Sequence, residues 1–529
     1  MKTPLVRRII QGIGSLILLA ACVPSAAPPT APPPAPTPTP IALYAVSTHE
    51  VAHRRTPRFI PSPSPARQPT PSPTVCPSES EETSLSPAYN IVAELDFATK
   101  TVTAEQAITY RNDTGTTLSD LVFHVPPNNQ PGVFTLNGLS LGGEAPPSLA
   151  TLEGVRLTVP LDPPLLPGCQ LQVDISYTLN LLPMGTGYFP RQGYLGYSPR
   201  QLNLGHWTPV LAFYDEGAWM TPIPINIGEQ GIISAAAFEV TLTVLNPPDN
   251  LTVVGPGNSH RRGSTWHFEL APARDLVLSL SDAYHQLVAE TPNGYQVELY
   301  ILDEAPPQPE SEHPNSAPDL ALDTAATALE LFADLYGEYP YERLVVIQGD
   351  FPDGMEFSGL VFVGGEWFRS YDGDPASYLN LITAHEVSHQ WWYNIVANDQ
   401  ANAPWLDEAL ATYSEYVFLE ENYPNLTDWW WDFRVNAWSP EGYVDASVYQ
   451  FETLRGYINA VYLQGARLMH ALRQDLGGEA FFQWLHDYVA AMRGQVATPQ
   501  DLWAALTPEQ YDATHATRAA YLRDPGPDR

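Results

Sequence analysis

Two histidines four residues apart, His385 and His389, constrain this chain more than any other feature. Side chains four apart lie on one face of an α-helix, so both imidazoles can address one metal ion. Glu386 lies between them in the run His-Glu-Val-Ser-His, and eighteen residues separate His389 from Glu408. Two His and one Glu are a zinc ligand set that leaves one position open. The spacing predicts one Zn²⁺ held by His385, His389 and Glu408, with Glu386 as general base toward the attacking water.

The surrounding sequence predicts that both parts of this motif are helical. Asp374 and Pro375 form an N-cap and first-turn pair for the first helix. A second helix is predicted from Pro404 to Glu420, with Glu408 near its start. Two alternatives stay open: an incidental His pair on a surface helix, and a solvated acid favoured by the helix dipole at Glu408. Glu415, two turns further on, is interpreted as a solvated acid, with orientation of a His ligand as the alternative.

Four segments together resemble the aminopeptidase N family of gluzincins. The resemblance covers about residues 89 to 510 and is strongest over 336–490. That family has the same eighteen-residue separation before its glutamate ligand. The segments are the zinc signature 385–394, the third-ligand segment 405–411, the substrate motif 353–357 and the tyrosine segment 462–466.

The resemblance implies a function for the remaining candidate residues. Glu356 would bind the free amine of a peptide, with Met355 and Gly354 beside it in the substrate motif. Tyr462 would be the catalytic tyrosine that hydrogen-bonds the oxyanion. The expected activity is therefore zinc-dependent removal of N-terminal residues from peptides.

This chain departs from the family pattern at three positions. Asp353 and Phe357 replace the first Gly and the final Asn of the substrate motif, and Gln464 replaces the Lys after the tyrosine. Phe357 predicts a more apolar pocket beside Glu356. The departures keep two alternatives open: an endopeptidase or dipeptide-releasing enzyme, and a weakly active envelope protein that serves binding or assembly.

The charge balance excludes one class of partner. The chain has 25 Lys and Arg against 59 Asp and Glu, a net charge of −34. Nucleic-acid binding requires basic surface, so no nucleic acid is expected. Of the three cysteines, Cys76 and Cys169 could pair outside the cytoplasm, and a buried free thiol at Cys169 is the equal alternative. No oligomeric state is predicted.

The N-terminus resembles a bacterial lipoprotein signal over residues 1–22. A basic start precedes the apolar run Ile9–Leu19, which is too short to span a bilayer comfortably. Cys22 would carry the lipid and anchor the protein to a bacterial membrane in the cell envelope. An ordinary secretory signal cut near Ala21 and an uncleaved anchor are the alternatives.

The pattern after Cys22 divides the chain into four parts. Residues 23–86 are rich in Pro, Ser and Thr and predict a disordered stalk. Residues 87–302 alternate apolar and polar side chains and predict an antiparallel β-sandwich. A Pro-rich linker over 303–318 leads to helical periodicity in 319–529. The fold class is multidomain α+β, ending in a thermolysin-like mixed α/β, mainly helical zinc peptidase domain.

Overall fold

The computed structural model describes residues 74–76, 85–146, 148–185, 192–302 and 316–526. The signal with Cys22, nearly all of the stalk, and most of the 303–318 linker lie outside these residues. The description below begins at the strand that precedes Cys76.

The first part of the described chain is built from strands whose side chains alternate between core and solvent. In β8, every second residue from Leu171 to Leu179 is buried, as the period-two pattern predicts. The strands are β1 Thr74–Val75, β2 Ala88–Asp96, β3 Thr101–Arg111, β4 Leu118–His124, β5 Phe134–Leu141, β6 Thr151–Glu153, β7 Arg156–Leu165, β8 Gln170–Asn180, β9 Leu195–Tyr197, β10 Leu202–Leu204, β11 Val210–Leu211, β12 Phe213–Asp215, β13 Ala218–Met220, β14 Ala236–Leu245, β15 Thr252–Val254, β16 Asn258–Arg262, β17 Thr265–Ala273 and β18 Leu278–Ser281.

These strands form one large sheet and smaller sheets around a shared core. The large sheet runs β1-β8-β3-β2-β14-β17-β16, with β5 also paired to β8. Two four-stranded sheets run β15-β18-β10-β9 and β11-β4-β7-β6, and β12 pairs with β13. The β domain is antiparallel as expected except where β14 pairs in parallel with β2.

A disulfide bond joins Cys76 to Cys169, with the two Cα atoms 4.2 Å apart. It lies beside the pairing of β1 with β8, where Thr74 faces Leu171. Of the two alternatives for Cys169, the structure therefore shows the paired one. The cross-link fastens the end of the segment that precedes the β domain to its large sheet.

A second sheet carries the segment that contains Gly354 and Met355. It contains β19 His285–Glu290, β20 Gln296–Ile301, β21 Arg343–Gly349, β22 Gly354–Met355 and β23 Leu360–Gly364, in the order β19-β20-β21-β23-β22. The sequence pattern assigned the strand at 295–299 to the β-sandwich, but β20 pairs in parallel with β21. Alternating burial predicts a strand but does not identify the strand with which it pairs. The pairing of β20 with β21 shows that this second sheet begins before the Pro-rich linker.

Helices form most of the rest. They are α1 Ala317–Tyr336, α2 Gly365–Ser370, α3 Tyr378–Ser388, α4 Trp405–Asn422, α5 Thr427–Trp430, α6 Leu454–Tyr457, α7 Gln464–Leu476, α8 Gly478–Met492, α9 Pro499–Ala504, α10 Pro508–Ala513 and α11 His515–Tyr521. Short strands β24 Ala397–Asn398 and β25 Val496–Ala497 pair in parallel. None of the helices within the described ranges has the length and apolar character needed to cross a bilayer.

The start of α3 differs from the sequence prediction. Asp374 was expected to cap it, but α3 begins at Tyr378, and Ser377 occupies the N-cap position. Asp374 instead accepts a hydrogen bond from the amide of Ala376, which closes a separate turn. A carboxylate two residues before an amide stabilises such a turn as readily as a helix start.

Candidate active site

His385, His389 and Glu408 converge in the buried interior where α3 packs against α4. The Nε2 atoms of the two histidines lie 3.2 Å apart. Glu408 Oε2 lies 3.3 Å from His385 Nε2 and 3.6 Å from His389 Nε2. Each of the three residues is no more than 5% exposed. The structure thus brings together all three predicted metal ligands.

The donor set fits zinc. Zinc bonds to His and Glu are about 2.0–2.2 Å long, so tetrahedral donors lie roughly 3.2–3.6 Å apart. His385 Nδ1 bonds Glu415 and His389 Nδ1 bonds the carbonyl of Trp392, which directs both Nε2 lone pairs toward Glu408. Glu408 Oε2 is buried and lacks a hydrogen-bond partner. A cation would satisfy it.

The carboxylates around the two histidines favour the protonated form of both imidazoles. Burial lowers the pKa of His385, but the neighbouring carboxylates of Glu408 and Glu415 outweigh it and raise that pKa to about 9. Burial also lowers the pKa of His389, but Glu408 and Glu356 outweigh it and raise that pKa to about 9. Ligand histidines must be neutral, so metal binding displaces these protons.

Two site residues lie at breaks in helical geometry. His389 follows the last residue of α3, and a π-helical segment runs from Gln390 to Ile395. Tyr462 lies within a second π-helical segment, Ile458–Leu463. Such wide turns re-aim side chains and often mark functional sites.

Glu386 lies against the edge strand β22. A Cβ atom on Gly354 would stand 2.1 Å from Glu386 Oε1 and 2.5 Å from its carboxyl carbon. Glycine at 354 is therefore required for the Glu386 carboxylate to occupy this place. Glu386 Oε2 is buried without a hydrogen-bond partner, and burial raises the pKa of this carboxyl well above its usual value. The sequence assigned Gly354 to substrate binding, and its contact with Glu386 was not foreseen.

Glu356 lies close to Gly354 in the chain, and its side chain is buried. Its Oε1 accepts a hydrogen bond of 3.2 Å from Gln400 Nε2, which also lies 3.2 Å from Asp407 Oδ2. The amide of Gly231, from the β domain, donates to Gln400 Oε1. Burial raises the pKa of Glu356, His389 lowers it and Glu408 raises it. The sequence analysis assigned no role to Gln400, which lies outside the motif segments, or to Asp407, which belongs to the third-ligand segment 405–411.

The departures in the substrate motif have structural explanations. Asp353 has φ 72°, a left-handed conformation that favours Gly but that Asp also adopts. Phe357 is fully buried, with its ring 4.9 Å from that of His206 and 5.9 Å from that of Tyr194. It packs into the contact with the β domain, so the expectation that it lines the substrate pocket is wrong.

The metal cluster opens into a cleft of about 190 Å³. Tyr462 lines it, with its ring parallel to that of His385 and the centroids 6.0 Å apart. A neighbouring cavity of about 240 Å³ reaches toward the β domain, and both are lined by Glu229 and Met355. The catalytic and substrate residues predicted from the sequence, other than Phe357, therefore face one connected space.

Glu415 is fully buried rather than solvated, which overturns the favoured interpretation from the sequence. It accepts hydrogen bonds from His385 Nδ1 at 3.0 Å, Trp430 Nε1 at 3.1 Å and two nitrogens of Arg434 at 2.9 Å. Burial would raise its pKa, but Arg434 and His385 lower it to about 2. The carboxylate stays ionised and fixes the ring of a metal ligand.

Glu415→Gln is expected to lower zinc affinity by about 10–100-fold, because His385 loses its charged orienting partner. It should also destabilise the fold by roughly 3–5 kcal/mol, since Arg434 would remain buried without its counter-charge. Competition titration with a zinc indicator and chemical denaturation measure the two effects.

The matched control is Glu420→Gln on the same helix, which removes an exposed pair with Arg473. That change should cost at most about 1 kcal/mol and leave zinc affinity unchanged. Unaltered zinc affinity in Glu415→Gln would restrict Glu415 to a structural role.

Comparison with known proteins agrees with this geometry. Residues 320–517 match the Peptidase family M1 domain. This match supports an aminopeptidase N-family gluzincin. Aminopeptidase N of Lactococcus lactis subsp. lactis is 29% identical over 290 residues, which are 51% of this chain and 33% of that protein. Aminopeptidase M1-B of Oryza sativa subsp. japonica is 28% identical over 312 residues, which are 55% of this chain and 34% of that protein. The matched part of this chain thus spans about a third of these relatives.

The likeness to solved structures extends over both domains. A crystal structure of an M1 zinc metallopeptidase from Deinococcus radiodurans superposes with a TM-score of 0.61 at 18% identity, covering 84% of this chain and 94% of that one. A second structure is of a mutant of the Deinococcus protein bound to a Tyr-Ser-Ala substrate. It superposes with a TM-score of 0.60 at 18% identity, covering 84% of this chain and 95% of that one. At this identity the likeness shows the fold, a β domain followed by a mainly helical domain.

Proposed function

We propose that this chain is a zinc-dependent aminopeptidase that acts outside the cytoplasm. The observation that carries the proposal is the meeting of a three-residue metal site, Glu386 and the buried Glu356 in one cleft. The metal site and Glu386 are the groups that hydrolysis requires. Glu356 is an anionic group positioned to pair with an ammonium group.

The residues of the cleft divide the chemistry of peptide hydrolysis among them. His385, His389 and Glu408 would hold the zinc ion, which would supply a Lewis acid for the scissile carbonyl and for water. Glu386 takes a proton from the attacking water and returns it to the leaving amine. Tyr462 donates a hydrogen bond to the developing oxyanion. Gly354 keeps the Glu386 carboxylate in reach of the cleft.

Glu356 gives the cleft its preference for a chain end. A peptide with a free α-amine brings an ammonium group that balances this buried carboxylate. A blocked peptide, or an internal segment of a longer chain, leaves the carboxylate unmatched and desolvated. The cavity of about 240 Å³ beside Met355 offers room for the side chain of the first residue.

N-terminal acetylation of a peptide is expected to lower kcat/KM by at least roughly 10²-fold, on the order of 3 kcal/mol. Glu356→Ala should remove most of this difference by slowing the free-amine peptide. The matched control Glu421→Ala removes an exposed acid of α4 that does not line the cleft, and it should keep the full difference. Equal, internal cleavage of blocked and free peptides would replace the aminopeptidase proposal with the endopeptidase alternative.

The place of action is proposed from the N-terminal sequence. Cys22 follows a basic and then apolar run and would carry lipid, with the Pro-rich segment 23–86 lifting the enzyme from the membrane. Cys22→Ser is expected to abolish metabolic labelling with a fatty acid and to release the protein from the membrane fraction. Equal labelling of both proteins would overturn the lipid anchor.

A further inference from the structure

Apart from Glu386 and Glu408 beside the metal site, the charged side chains that line the cleft differ in sign between the two parts of the chain. The acidic residues Glu229, Asp353 and Glu356 come from the β domain and the edge-strand segment. The basic residues Arg434 and Arg455 come from the helical part, which also supplies Tyr462. The metal ligands from α3 and α4 also line this cleft. It therefore has an acidic and a basic wall.

Arg434 is not available to a ligand. Its guanidinium is buried and forms two hydrogen bonds of 2.9 Å to Glu415, so its charge is balanced inside the protein. Arg455 differs in both respects. Its side chain is exposed to the cleft and, within the part of the chain that the structure describes, has no hydrogen bond or ion pair.

Arg455 is nevertheless held in place. Its guanidinium lies 3.9 Å from the ring centroid of Trp438, which also lines the cleft. A cation over an indole face is attracted to it and loses side-chain freedom, while its N–H groups remain available at the edge of the guanidinium. Partial burial lowers the pKa of Arg455, Tyr378 raises it and Arg434 lowers it.

We propose that Arg455 binds the C-terminal carboxylate of short peptides, so that the substrates are oligopeptides with both ends free. This inference rests on the proposed aminopeptidase function and specifies its substrate class. The ammonium end of such a peptide meets Glu356, and the carboxylate end meets Arg455, which lines the same cleft. Guanidinium and carboxylate form paired, charge-assisted hydrogen bonds, which suit Arg better than Lys.

The test compares Leu-Ala-Ala as the free acid with Leu-Ala-Ala amide. For the wild type, the ratio of kcat/KM between acid and amide is expected to be about tenfold or more, mainly through KM. Arg455→Gln should reduce that ratio to near one. The control is Arg261→Gln, which removes another arginine stacked on a tryptophan, Trp266, in the β domain and away from the cleft. It should keep the wild-type ratio.

A binding measurement makes the test independent of turnover. Calorimetry on zinc-loaded Glu386→Gln protein should show the free acid binding about tenfold more tightly than the amide, and the added Arg455→Gln change should abolish the difference. Equal binding of acid and amide, or an acid preference that persists without Arg455, would overturn the proposal.

The two proposals fail in different ways. Release of leucine from acid and amide at equal rates would refute the role of Arg455 and leave the aminopeptidase proposal intact. Release from neither peptide would refute the aminopeptidase proposal, while the calorimetric comparison would still decide whether Arg455 recognises a carboxylate.

Discussion

Glu386→Gln is expected to lower kcat by about 10³-fold or more while zinc content and fold stay unchanged. An amide has nearly the shape of the carboxylate, so it fits the space that Gly354 leaves. It cannot accept a proton from water, and general-base catalysis contributes about 10²–10⁴-fold. Single-turnover rates, metal analysis and circular dichroism measure the three quantities.

The control for this substitution is Glu421→Gln, at an exposed position of α4. It makes the same chemical change without touching the cleft, and its rate should match the wild type. Near-normal hydrolysis by Glu386→Gln would exclude Glu386 as the base. Loss of zinc from that variant would instead indicate a structural contribution to the metal site.

Glu408→Ala is expected to purify without stoichiometric zinc and to lose measurable hydrolysis. Glu408 supplies one of three ligand side chains, and its removal leaves two histidines, which is below the number that protein zinc sites use. The loss of affinity should exceed the roughly 10–100-fold expected when only an orienting partner is removed.

Mass spectrometry of Glu408→Ala and Glu415→Gln, measured side by side, shows which variant loses more zinc. Asp407→Asn, the neighbouring buried acid that bonds the Glu408 amide, is the matched control for a lost carboxylate that is not a ligand. It is expected to retain zinc better than Glu408→Ala does. Full zinc occupancy in Glu408→Ala would require another ligand.

The metal site could be predicted from the sequence because its two histidines lie close together in the chain, on one predicted helix. A helix fixes the direction of side chains four apart, so His385 and His389 had to share a face once the segment was helical. Glu408 could be added because a family resemblance supplied the spacing to the next helix. The structure brings the three donor atoms to separations of 3.2–3.6 Å.

Features that depend on distant parts of the chain could not be predicted. Nothing near Glu415 shows that Arg434 and Trp430 fold over it, so its position on a helix favoured a solvated acid. Gly354 resembled part of a substrate motif, and only the packed structure shows that a larger residue would collide with Glu386. Phe357 was assigned to the pocket because its motif neighbours lie there, while its own ring turns into the contact with the β domain.

The most direct test of the central claim is product analysis from a mixed pool of free and N-acetylated peptides, with and without a zinc chelator. Mass spectrometry is expected to show free peptides shortened one residue at a time from the N-terminus, acetylated peptides largely intact, and no products after zinc removal. Internal fragments, released dipeptides, or cleavage that persists without zinc would contradict a zinc aminopeptidase.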